Sequence, residues 1–82
     1  MKWNLWVDYH RTDEQGLTHA NVRNAAAGIN VQPGSFLIVG NEDADPAVAE
    51  VVAVMERGTV LLRVLPGPVE QHLPLVTARP GK

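Results

Sequence analysis

The apolar positions of this chain recur mostly at every second residue, the spacing of a strand with one buried face. Trp3, Leu5, Val7 and Tyr9 alternate with Asn4, Trp6, Asp8 and His10, which predicts a half-buried strand near the start of the sequence. Phe36-Leu37-Ile38-Val39 is a short continuous apolar run, as a strand covered on both faces requires. In the next run, Ala49, Val51, Ala53 and Met55 fall on one face, and Glu50, Val52, Val54 and Glu56 on the other. Val60, Leu62 and Val64 then alternate with Thr59, Leu61, Arg63 and Leu65. Five short strands are the sum of these patterns once residues 17–22 are read as a strand.

Glycine and proline mark the breaks. Gln32-Pro33-Gly34-Ser35 is the strongest local signal, because proline presets φ at the second position of a turn and glycine supplies the positive φ that a type II turn needs at the third. Residues 40–46 form a polar connection, and Arg57-Gly58 stands between two apolar runs, where a left-handed glycine closes a hairpin. Residues 11–16 read as a turn or loop. Pro66-Gly67-Pro68 ends the pattern, since proline removes a ladder donor.

Two stretches admit a helix. Asp45-Pro46 before residues 47–57 and Gly58 after them place a cap, a first-turn proline and a terminating glycine correctly. The valines at 48, 51, 52 and 54 oppose this, as branched Cβ atoms favour strands. A helix there is also apolar nearly all round, more than a small domain covers. A strand is therefore the preferred reading, with an α+β fold carrying a helix at residues 46–57 as the alternative. For residues 17–27, a strand followed by a compact alanine turn and a short helix capped by Thr18 are evenly matched.

The predicted fold is all-β: a small five-stranded antiparallel barrel over residues 1–66, followed by an extended, proline-rich C-terminal tail over residues 67–82. Residues 66–82 hold four of the 6 prolines, which disfavours helix interiors and central strands alike. Leu73, Leu75 and Val76 remain candidates for docking the tail on the barrel.

The run Val31-Gln32-Pro33-Gly34-Ser35-Phe36-Leu37-Ile38-Val39-Gly40-Asn41-Glu42-Asp43 resembles the opening of SH3-like small barrels, with its Pro-Gly turn, apolar strand and polar loop. Ala49-Glu50-Val51-Val52-Ala53-Val54 and Thr59-Val60-Leu61-Leu62-Arg63-Val64-Leu65 are similar to the hairpin that follows in such domains. The resemblance spans residues 31–65 and implies an architecture only, since these barrels serve peptide binding, nucleic-acid binding, chromatin reading and enzyme appendages. With 2 Trp, 1 Tyr and 1 Phe, the chain lacks the aromatic wealth of proline-peptide-binding members. It also lacks the basic charge of the ribosomal and transcription-factor members.

Composition narrows the picture further. The 82 residues make one small domain, 45% hydrophobic and 20% charged, which is globular rather than disordered. With no cysteine, disulfides and thiolate metal sites are excluded. The formal net charge of −2 argues against nucleic acid as a partner, because that attraction needs clustered cations. Apolar runs are too short for a membrane span or a secretory leader, so the expected location is the cytoplasm.

Asp8, His10, Asp13 and His19 are the densest group of titratable residues. If the first two strands formed a hairpin, His10 and His19 would approach across it, and two imidazoles with a carboxylate suit a divalent metal or acid–base chemistry. The competing expectation is a solvated strand face, and the spacing matches no known ligand motif. Glu42, Asp43 and Asp45 form an acidic loop without the glycine and distal glutamate of a calcium loop. Ser35, the only serine, has no G-x-S-x-G context, and no glycine loop suits a phosphate.

Trp6 stands out, because on a regular strand it points away from the face that carries Trp3, Leu5, Val7 and Tyr9. A tryptophan on a polar face marks a partner surface or a region packed by the tail. The leading expectation is a non-enzymatic protein-binding or assembly module, with Trp6, His10 and His19 on its contact surface or with an open sheet edge as the contact. Its partner is another protein or a second copy of the chain. No cofactor or metal is assigned. A small metal-assisted or acid–base enzyme built on Asp8, His10, Asp13 and His19 is the second class. A nucleic-acid-binding barrel using Arg11, Arg23, Arg57 and Arg63 is the third.

Overall fold

The computed structural model describes residues 3–77. Five strands form one curled sheet: β1 (Leu5–Trp6), β2 (Thr18–Asn21), β3 (Phe36–Asn41), β4 (Ala44–Val54) and β5 (Thr59–Val64). Their order across the sheet is β1-β3-β4-β5-β2. The all-β expectation holds, and residues 46–54 lie in β4 rather than in an α-helix, with a 3₁₀ turn at Glu56–Gly58 after them.

The long strand β4 shows why. It pairs antiparallel with β3 through Leu37↔Ala49 and Val39↔Ala47, and with β5 through Ala49↔Val64 and Val51↔Leu62. Val48 and Val51 are thus fully buried, where branched side chains suit a pleated surface, while Val54 stays exposed. Pro46, which cannot donate to a ladder, lies where the β3 register shifts between Val39 and Asn41 and before β5 pairing begins at Ala49. The simple alternation expected for residues 49–56 is broken by a bulge between Val51 and Ala53. Val51 opposes Leu62 and Ala53 opposes Leu61, which leaves Val52 as the extra residue. The bulge exchanges the faces beyond it and sharpens the curl of the sheet.

Leu5, Val7, Leu37, Val39, Ala49, Val51, Val60 and Leu62 form the fully buried core inside that curl. Just before β3, Gly34 adopts φ +90° and Ser35 N–H donates to Gln32 carbonyl at 3.1 Å, the turn that Pro33-Gly34 predicts. At the hairpin between β4 and β5, Arg57 and Gly58 both have positive φ, 68° and 84°.

Three expectations need correction. The sheet is mixed rather than wholly antiparallel, because β1 runs parallel to β3 with Leu5 opposite Val39 and Trp6 opposite Gly40. The strand expected over residues 3–9 shrinks to a ladder of two residues. Asp8 ends it: its carboxylate accepts from His10 N–H and caps a 3₁₀ turn over Tyr9–Arg11. Trp3 does not join the core face; its ring lies against Gly40, where an added Cβ would sit 3.3 Å from the indole.

The tail is the third. It is not extended through residue 77, but forms a 3₁₀ turn at Val69–Gln71 and a short helix α1 (Leu73–Thr77). Pro74 falls in the first turn of α1, where a missing N–H costs nothing. Contacts run from α1 to β3 and from Val69–Gln71 to β4. Val48 of β4 is fully buried opposite the half-buried Ile38 of β3. Residues 78–82 of the expected tail lie outside the described residues.

The outer strands are tied off locally. Leu5 bridges Ala25, and Ala26 N–H donates to Asn4 carbonyl at 2.8 Å, which draws β1 against the segment after β2. Thr18 bridges Thr12, with their hydroxyls 2.8 Å apart. Residues 22–24 form a 3₁₀ turn capped by Asn21, so residues 17–27 resolve as strand and turn rather than helix. Among the described residues, no helix is long and apolar enough to cross a membrane.

Candidate functional site

Trp6 is held by contacts distant in sequence. Its indole N–H donates to Glu42 Oε1 at 3.0 Å, across 36 positions. Glu42 belongs to the turn between β3 and β4, and Asn41 fixes that turn twice. Asn41 Oδ1 accepts from Asp43 N–H at 2.8 Å, and Asn41 Nδ2 donates to Val7 carbonyl at 2.9 Å. The turn is therefore fastened to β1 beside the tryptophan.

The half-buried Trp6 borders two hollows. The larger, about 440 Å³, is lined by Trp6, Asp8, Tyr9, His10, Asn41, Glu42, Asp43 and Ala44. The smaller, about 100 Å³, includes Trp6, Asp8, Arg11, His19 and Asn24 in its lining. Of the three residues singled out in the sequence, Trp6 borders both hollows, His10 lines the larger and His19 the smaller. Tyr9 packs against the core, and burial pushes its phenol upward in pKa. Its hydroxyl oxygen is buried with no hydrogen-bond partner.

Asp8, His10, Asp13 and His19 do not form one constellation. No hairpin joins β1 to β2, since each pairs with a different strand. His10 Nδ1 lies 3.2 Å from Asp8 Oδ1 on a fully exposed side chain, and His19 Nε2 lies 2.9 Å from Asp13 Oδ2. Asp13 also accepts from Gln15 N–H at 2.8 Å and Leu17 N–H at 3.0 Å. The His19 hydrogen bond, followed by that of Leu17 N–H, holds its carboxyl below the ordinary value of 3.8. Among the described residues, no three of His, Asp and Glu gather as metal ligands. Ser35 is buried at the Pro33-Gly34 turn.

The four arginines of the nucleic-acid reading have separate settings. Arg63 pairs with Glu50 at 3.3 Å, Arg23 Nε donates to Asn21 at 3.3 Å, Arg57 occupies the β4–β5 turn, and Arg11 lines the smaller hollow.

A third groove, about 600 Å³, lies between the start of β4 and the returning tail, lined by residues that include Pro46, Ala47, Leu65, Pro68 and Val69. The alternation of the sequence gives no sign of it, because it depends on β4 outrunning β5 and on the tail folding back. Similarly, nothing local couples Glu42 to Trp6. The acidic loop was visible as composition; its place beside the tryptophan follows only from the parallel β1–β3 pairing.

No protein-family model, curated protein or solved structure matches this chain.

Proposed function

We propose that this chain is a non-enzymatic protein-binding or assembly module, built on an SH3-like barrel, which engages its partner through the surface around Trp6. The carrying observation is the indole fixed by Glu42 as a ridge between two hollows. An aromatic held in one orientation offers large contact area at little entropic cost on binding, the character of an interface anchor. The outermost strands are bridged at Leu5 and Thr18, so the Trp6 surface is a better contact than a sheet edge. With no cysteine that an oxidising compartment would pair, the cytoplasm is the proposed place of action.

The test compares the wild-type chain with Trp6→Ala by light scattering and by affinity capture, each captured protein being purified and its binding remeasured. The expected result is a partner, or a second copy, bound by the wild type and weakened at least tenfold in the variant, with unchanged far-UV circular dichroism. Equal binding by both chains, or a monomer that captures nothing, would overturn the reading.

A further inference from the structure

We propose that the folded-back tail, residues 66–77, exchanges between two copies of this chain, so that each copy's tail docks on the other's sheet. This device goes beyond the Trp6 surface and does not depend on it.

The tail lies over a face that the inner core does not serve. Ala47 and Ala49 of β4, like Leu37 and Val39 of β3, belong to the core inside the curl. Alternation therefore leaves Val48 and its partner Ile38 on the outer side. Val48 is nonetheless fully buried, and Val69–Gln71 contacts β4 while α1 contacts β3. Among the described residues, the inner core and the side chains packed against it end at Val64. The tail can thus leave its face while that core stays intact.

What moves is a self-shaped unit. His72 Nε2 donates to the Pro66 carbonyl at 2.7 Å. The N–H groups of Gln71, His72 and Leu75 donate to the carbonyls of Pro68, Val69 and His72 at 3.1, 2.9 and 3.0 Å. A helix of five residues does not persist alone in water, so α1 needs a face to dock on. Its hold is modest: Leu73 and Leu75 remain 38% and 41% exposed, and a groove of about 600 Å³ separates the start of β4 from Pro68 and Val69. A second copy offers the same face, and exchange conserves every contact outside the hinge.

The hinge sets the balance. Pro66-Gly67-Pro68 joins β5 to the tail, and Gly67 makes the return bend with φ +93°. Proline pushes the residue before it towards extended backbone, so Pro68 favours a straight hinge against that bend. Short hinges held against such a preference promote exchange. In the closed chain the tail docks at high effective concentration, so the monomer prevails in dilute solution and exchange grows with protein concentration.

The experiment refolds the full chain from urea at high and at low concentration and reads the oligomeric state by size exclusion with light scattering. Gly67→Val opposes the bend, because a β-branched residue rarely adopts positive φ, and it suits the extended hinge. Inserting Gly-Ser-Gly between Pro66 and Gly67 lengthens the hinge and favours closure within one chain. The expected result is a dimer fraction that rises with concentration, several-fold higher in Gly67→Val than in wild type and lower in the insertion variant. In dimers of labelled and unlabelled chains, isotope-filtered NOEs then join Val69 and Leu75 of one copy to β4 and β3 of the other. A folded Gly67→Val chain that stays monomeric, or dimers whose tail contacts all lie within one chain, would overturn the exchange. Should Gly67→Val fail to fold, wild type against the insertion variant decides, and equal dimer fractions or no dimer in either have the same effect. Trp6→Ala is expected to leave the dimer fraction within about twofold. Dimers lost in Trp6→Ala would place self-association on the Trp6 surface, so the exchange falls and the binding-module reading stands.

Discussion

At the scale of single residues, two carboxylates that each accept from the N–H two positions on do different work. Asp8 caps the turn that ends β1 and stands beside Trp6, whereas Asp13 organises its own loop by accepting from His19, Gln15 and Leu17. Because folding lowers the Asp13 pKa, its ionised form stabilises the native state. That contribution is present above the ordinary value of 3.8 and is lost as pH falls through the folded value. Asp13→Asn is therefore expected to melt at lower temperature than wild type at pH 7, with the two melting temperatures converging below pH 3.8, as thermal scans across that range would show. The local parts of this arrangement were open to reading from the sequence, since Asp and Asn bond to backbone groups two residues on. The pairing of Asp13 with His19 was not, because it depends on where the loop turns back.

At the scale of elements, the strands were legible where residue shape decides the outcome. The valines of β4 outweighed a good helix cap, and Pro33-Gly34 made the turn its two residues prescribe. What escaped was non-local. A two-residue β1 has too little pattern to choose between β2 and β3, and the bulge at Val52 reverses a face that alternation alone would keep. The tail misled for a different reason: its prolines forbid a helix interior but permit a helix that starts beside Pro74. The hairpin between β4 and β5 supplies the prediction at this scale. Gly58 has φ +84°, and a Cβ there would lie 2.9 Å from Val22 Cγ2. Gly58→Ala is expected to cost about 1–3 kcal/mol in urea unfolding, through both the backbone conformation and the clash. Adding Val22→Ala would restore only part of the loss, because it removes the contact and leaves φ unchanged.

At the scale of the whole molecule, the curled sheet converts two short segments 36 positions apart into one surface. The parallel pairing of β1 with β3 sets Trp6 across from Gly40, and the next turn brings Glu42 and Asp43 round it. Trp3 takes a contrasting place, packed on Gly40. That contrast provides the most direct measurement. In a two-dimensional ¹H–¹⁵N spectrum, the indole N–H signals of Trp6 and Trp3 are read while the purified partner is added. The account predicts a saturable shift of the Trp6 indole and of the Asp43 and His10 amides, with the Trp3 indole little moved. Shifts gathered instead around Pro46, Leu65 and Val69, with the Trp6 signal stationary, would contradict it.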